Sequence, residues 1–288
     1  NKDLTFTPSI FDKDIYMIQN EYREENKNSS LIADIGFAKG YKSEVTDNKK
    51  KNIGHLLAKF DLDLDLSSFI NSNFKISLEN VTNDTYLKVF DSNLTNTSPK
   101  IMPKNKGQLT SNLELNLDHE KYSFDTGITA YETLSGADSD RYQYILPYYT
   151  FSKNLMSNQL LNLNFNSDGN NNYQNTNNLK SVVNNNFDFK SIDFISENGF
   201  KNNIGVHFKN VNTVGKNDSK YKSSPQVELM NIINLETSLP LVKLDDKFSN
   251  SLIPKISFRY NPTDMKNYSD SNTYIDTNNI FSLNRLSI

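Results

Sequence analysis

The sequence has no cysteine and no tryptophan, and only 10 glycines and 8 prolines among 288 residues. Without cysteine there is no disulfide framework, no thiolate metal site and no thiol nucleophile. No run of 18 or more apolar residues occurs, which excludes a transmembrane helix. Catalytic signatures are also missing. The three histidines, His55, His119 and His207, are far apart, and no HExxH, GxSxG or glycine-rich phosphate loop accompanies them. The chain therefore reads as a non-enzyme with no cofactor or metal, His55 and His207 lying on strands and His119 in a turn. A net charge of -3 and few basic clusters argue against a nucleic-acid partner. The one basic run, Lys49-Lys50-Lys51, reads as a solvated loop tip.

What the sequence does contain is alternation. In Phe60-Asp61-Leu62-Asp63-Leu64-Asp65-Leu66, aspartate falls at every second position. An EF-hand loop counted from Asp61 would need glycine sixth and glutamate twelfth, where Leu66 and Ser72 stand. A strand explains the run better, with Leu62, Leu64 and Leu66 on one face and Asp61, Asp63 and Asp65 on the other. The same period of two recurs in Leu4/Phe6/Ile10, Leu31/Ala33/Ile35/Phe37, Phe74/Ile76/Leu78 and Leu113/Leu115/Leu117. It continues in Tyr122/Phe124/Ile128/Ala130, Leu161/Leu163/Phe165, Ile204/Val206/Phe208 and Ile256/Phe258/Tyr260. No comparable stretch has helical spacing. Turns are expected at Asp118-His119-Glu120, Ser135-Gly136, Asp168-Gly169 and Asn198-Gly199. The asparagine runs at 170–172 and 184–186 read as loop and strand-face composition rather than as sites. The expectation is an all-β antiparallel meander of roughly twelve to fourteen strands of about ten residues.

Only 36% of the residues are hydrophobic, and many strands are polar along one whole face. A soluble sandwich of this length would need strands apolar on both faces, or helices packed over them. A transmembrane β-barrel removes the conflict, because lipid meets the apolar face and water fills the lumen. The 15 tyrosines and 18 phenylalanines are enough for interfacial girdles. A solenoid adhesin would show a fixed repeat, and none is found. The chain opens at Asn1 without an initiator methionine, a basic segment or an apolar leader, so an export signal is expected upstream.

Three stretches resemble one family. The segment 278–287, containing Asn279, Phe281, Ser282, Asn284 and Arg285, is similar to the Asn-x-Phe-Ser-x-Asn-Arg-Phe-Ser-Gly-x-Asp-Arg motif of the lipopolysaccharide (LPS)-assembly outer-membrane protein family LptD (OstA). Leu286 stands where the motif has phenylalanine, and the sequence stops before the Gly-x-Asp-Arg portion. The stretch from Ser139 to Tyr149 resembles alphaproteobacterial members, and Asp3–Pro8 followed by Asn20-Glu21-Tyr22-Arg23 resembles the family's first barrel strands. The absence of cysteine departs from better-known members and leaves no basis here for their disulfides.

The resemblance implies residues 1–288 as the N-terminal portion of a barrel of about 26 strands, with the signal peptide, periplasmic jelly-roll domain and remaining strands elsewhere. It implies transport of lipopolysaccharide into the outer leaflet of the cell outer membrane, through a lumen and a lateral gate. The partners implied are lipopolysaccharide, a plug lipoprotein (LptE-like) and the periplasmic Lpt bridge. It also places Thr5, Phe6, Thr7 and Pro8 at the gate, where a proline without N–H weakens strand pairing. Pro147 and Pro254 also fall in strand-like runs, where a bulge or bend is expected. A porin or receptor-type barrel is the alternative function.

Overall fold

The computed structural model describes residues 1–11, 13, 15–39, 52–90, 101–135, 140–174, 177–244 and 248–263. The run 49–51, Gly136, Ser139 and the motif residues Asn279, Phe281, Ser282, Asn284 and Arg285 lie outside them.

The described chain is all-β apart from one helical turn. The strands are β1 (Lys2–Ile10), β2 (Tyr16–Glu25), β3 (Ser29–Lys39), β4 (Asn52–Asp63), β5 (Asn71–Val81), β6 (Gln108–His119), β7 (Tyr122–Thr133) and β8 (Tyr142–Ser157). They continue as β9 (Leu161–Gln174), β10 (Asn178–Ser191), β11 (Phe194–Ile195), β12 (Lys201–Lys216), β13 (Gln226–Ser238), β14 (Leu241–Leu244), β15 (Ser249–Leu252) and β16 (Lys255–Tyr260). The helical turn α1 (Tyr86–Val89) lies between β5 and β6. A 14-stranded sheet runs β1-β2-β3-β4-β5-β6-β7-β8-β9-β10-β12-β13-β16, with β11 beside β12, while β14 and β15 pair apart from it. The meander is as expected, and the described strands do not close into a barrel, because β1 and β16 are each paired on one side only.

The chain divides into two compact units. In the first, residues 1–149 and 170–179, the apolar faces of the strands are open and the polar faces covered around α1, while farther along the strands Asp61, Asp63 and Lys75 of the polar face are exposed. Ile35 and Phe37 of β3 are exposed, while Asp34, Gly36 and Ala38 between them are buried. Leu56 and Leu78 are exposed, while His55 and Leu57 are buried. Met17, Ala38, Ile53, Val81, Leu109 and Leu134 form a small core on the covered face with Tyr86, Leu87 and Phe90 from in and beside α1. The second unit, residues 150–169 and 180–288, has the same inversion. Ile204, Leu229 and Leu235 are exposed, whereas Asn203, Lys209, Thr213 and Asn234 are buried. Its open face carries a row of rings crossing β8, β9, β10 and β12. Phe151 lies 6.0 Å from Phe165, Phe165 4.6 Å from Phe187, and Phe187 6.3 Å from Phe208, centroid to centroid.

Several local expectations need correction. The aspartate–leucine run is a strand only as far as Asp63. There the Asp63 carboxylate accepts the Asp65 N–H at 3.0 Å, and Asp65 takes a φ of 49°. That local bond replaces the ladder, so Leu64 and Leu66 lie beyond the strand end. The turn expected at 118–120 is the two-residue turn Glu120-Lys121. His119 is therefore the last residue of β6, paired with Tyr122 and stacked on its ring at 4.7 Å. Asp168-Gly169 is no turn but mid-β9, because Asp168 accepts an amide hydrogen from Asn184 across the ladder at 2.9 Å. The asparagines at 170–172 and 184–186 all lie on strands. Asn198-Gly199 is a turn as expected, with Gly199 at a φ of 80°. Pro147 lies inside β8, whereas Pro254 precedes β16 and accepts the Leu239 N–H through its carbonyl at 3.0 Å.

Candidate functional site

The candidate gate residues Thr5, Phe6, Thr7 and Pro8 all lie on β1, the edge of the sheet. Asn1 and Glu25 exchange both backbone bonds, at 2.7 and 2.8 Å. In an antiparallel pair, bonded and non-bonded positions alternate. With Lys2↔Glu24 through Ile10↔Tyr16 in continuous register, the odd residues of β1 bond to β2. The even residues Lys2, Leu4, Phe6, Pro8 and Ile10 turn their backbone groups to the free edge. The bond from Phe11 N–H to the Ile15 carbonyl at 3.0 Å keeps the same parity at the far end. Pro8, opposite Ile18, thus removes a donor from the open edge and none from the β1–β2 ladder. Thr5 and Thr7 are held in the ladder opposite Glu21 and Gln19. Phe6 projects from the apolar face and is exposed.

On the covered face, four side chains from four elements meet. Gln19 of β2 donates its amide to Asp34 Oδ2 on β3 at 2.7 Å. His55 of β4 holds Nε2 3.2 Å from Asp34 Oδ1, a close contact short of hydrogen-bond geometry. Its Nδ1 lies 2.8 Å from the Tyr86 hydroxyl. With Nε2 facing a carboxylate, the ring carries its proton there and Nδ1 accepts from Tyr86. Burial, reinforced by the charge of Asp34, raises the phenol well above its ordinary value, so Tyr86 stays a donor. All four residues are buried. Gly36 makes room for them, because a Cβ there would stand 2.3 Å from His55 Cε1 and 2.9 Å from the Tyr86 hydroxyl.

An acid–imidazole–hydroxyl order is also that of a nucleophilic relay. Here the Tyr86 hydroxyl lies beside His55 and Gly36, and Tyr86 is wholly buried among the described residues. The arrangement fastens α1 to the wall. Two outer ties support it. The Gly54 N–H donates to Thr82 Oγ1 at 2.7 Å, and Arg141 bridges Asp84 at 2.5 Å and Glu132 at 2.7 Å. The Asp84 bond, then that of Glu132, holds the guanidinium charged more firmly than usual despite partial burial.

His55 and His207 lie on strands as expected, β4 and β12, and both sit on the polar face. His207 meets Asp188 of β10 through Nδ1. Tyr86 was missed, because its partners are 31 and 52 positions away and nothing local marks it. Beyond α1, the polar face of the first unit holds a cavity of about 990 Å³ lined by Lys59, Asp61, Lys75, Glu79, Lys104 and Glu114. Among the described residues no cluster of potential metal ligands occurs, and no helix is long and apolar enough to cross a membrane. No known family model matches the chain, and no curated protein matches it.

Proposed function

We propose that this chain is a segment of wall from a large outer-membrane β-barrel of the LptD type, moving lipopolysaccharide to the outer leaflet. The observation that carries the membrane part is the inversion of faces. Leu, Ile and Phe lie open on one side of the strands while Gln19, Glu21, Asp34, His55 and Lys209 are buried on the other. Water would expel such a surface, and lipid would cover it. Further support comes from the connections of the first unit. At one end of the strands the links 26–28, 64–70 and 120–121 are short; at the other, 40–51, 82–107 and 134–141 are longer, although 11–15 and 175–177 there are short as well. Barrels of this class have short turns on the periplasmic side and longer loops outside. The cargo rests on the resemblance of the three sequence stretches and on β1, whose free edge is interrupted by Pro8 as a lateral opening requires. The plug lipoprotein and the periplasmic bridge are partners of the intact protein in this reading.

Orientation is tested on neighbouring residues of β5, these 288 residues having no cysteine of their own and any cysteine elsewhere in the full-length protein being replaced by serine. In intact membranes, Lys75→Cys is expected to react with a water-soluble maleimide and Ile76→Cys to be protected. The reverse pattern would sink the membrane assignment. Depleting the full-length protein is expected to remove lipopolysaccharide from the cell surface. Normal surface lipopolysaccharide with reduced solute uptake would establish the porin reading instead.

A further inference from the structure

The second unit carries apolar side chains where a barrel normally carries polar turns. The ribbon β14–β15 pairs Leu241 with Leu252 and Val242 with Ser251. Neighbouring strand residues point to opposite faces. Leu241 and Leu252 therefore share one face, and Val242 and Leu244 share the other. All are exposed, Val242 at 63%, Leu244 at 79% and Leu252 at 65%, and Phe248 and Ile253 beside them are exposed as well. At the same end, β11 pairs Ile195 with Lys201, Lys201 lies opposite Ser238, and the Ile192 N–H reaches the Leu160 carbonyl at 2.9 Å. Phe194, Ile195 and Leu160 there are exposed too.

We propose that the β14–β15 ribbon, with the β11 connector beside it, sits in the membrane interface as a lipid-contacting foot of the second unit. This rests on the membrane reading above and extends it from the strand faces to the connectors. Three features select lipid over a protein partner. A docking groove covers one face of a two-stranded ribbon, whereas here each face presents two exposed apolar side chains beside polar ones, and a surrounding apolar medium reaches both. The ribbon also continues the open apolar face, since only residues 239–240 separate it from β13 and residues 253–254 from β16. That face carries Leu235, Ile256 and Phe258, all exposed. Finally, Lys243 faces Asn250 across the ribbon, and a lysine stem lies along apolar surface while its ammonium reaches the headgroups.

These 288 residues hold no tryptophan, so once any tryptophan elsewhere in the full-length protein is replaced by phenylalanine, one introduced indole reports alone. Val242→Trp, Leu252→Trp and Ile195→Trp are made singly in the full-length protein, with Leu229→Trp on the β13 apolar face as reference. Each is reconstituted in vesicles of phosphatidylcholine with brominated acyl chains, which quench indoles they touch. The foot variants are expected to lose most of their emission, as the reference does. A quenched reference beside foot indoles that emit as if in water overturns the foot alone. Foot indoles that are blue-shifted but unquenched are covered by protein, which also overturns it. An unquenched reference removes the membrane reading itself.

Discussion

Replacing Gly36 with alanine tests whether α1 is fastened through the buried His55–Tyr86 pair. The added methyl would stand 2.3 Å from His55 Cε1, 2.5 Å from Nδ1 and 2.9 Å from the Tyr86 hydroxyl. No ordinary contact is that short, so the imidazole must move. It cannot move freely, because Asp34 lies 3.2 Å from Nε2 and Tyr86 2.8 Å from Nδ1. Overpacking of a filled interior costs about 1–3 kcal/mol. A buried partner left unsatisfied costs about 1–3 kcal/mol more. Alanine recovers about 0.5–1 kcal/mol, because glycine is unfavourable inside a strand. A net loss of about 1–5 kcal/mol is therefore expected.

The assay is denaturant unfolding of the full-length protein in detergent, with Tyr86→Phe and the double variant completing a cycle. Tyr86→Phe removes the hydroxyl, and with it both one collision and the bond that the methyl would break. The two losses should therefore overlap, the double variant being less destabilised than the sum. An alanine variant as stable as the parent, or two strictly additive losses, would refute the idea that Gly36 exists to admit this pair.

Two further outcomes follow from the geometry. Because Pro8 faces the free edge, Pro8→Ala should leave the β1–β2 pair at its original stability, whereas Thr7→Pro should lose the bond opposite Gln19, about 0.5–1.5 kcal/mol or more. If the proposed function holds, the alanine variant of the full-length protein should export lipopolysaccharide less well, and unchanged export with a less heat-resistant barrel would make Pro8 a structural bend. In the connector after β12, Asp218 loses solvation by burial. The N–H groups of Tyr221 and Lys220, at 2.9 and 2.8 Å, and the Lys180 ammonium at 3.1 Å outweigh this and hold its carboxyl below the usual range. A depressed carboxyl stabilises fully above its ordinary value and ceases to do so as pH falls through the folded one. Asp218→Asn should thus destabilise the protein at neutral pH and cost nothing in strong acid. A cost independent of pH, followed by the same unfolding assay, would show that shape and not charge holds this turn.

The period of two was legible because it is written locally, and it marked nine of the strands and the polar face of each, while β2, β8, β10 and β13 carried no run clear enough to be read. The strand ends and turns were less legible, because one residue type has two uses for its side chain. Asp63 spends its carboxylate on a local N–H and stops a strand that its leucines would have prolonged. Asp168 spends its own across the ladder, so an Asp-Gly pair that reads as a turn runs straight through β9. The covered-face cluster was legible only in part. His55 sat on a recognisable strand, but Tyr86 comes from a connector, and its importance appears only once β2, β3 and β4 are side by side.

The β1 edge ties these levels together. In a strand, residues that share a side-chain face also share the direction of their backbone groups. On β1 the apolar residues Leu4, Phe6 and Ile10 are therefore the same ones that offer N–H and C=O to the free edge. Any strand that pairs there must also continue an apolar face of the same sense, which a further strand of the wall does. An unpaired edge in lipid leaves backbone groups unsatisfied, so the site cannot stand open in a membrane. Pro8 removes one donor from that row at no cost to β2. On the proposed reading, a strand pairing there would form a weaker seam than its neighbours, which is the property a lateral gate needs.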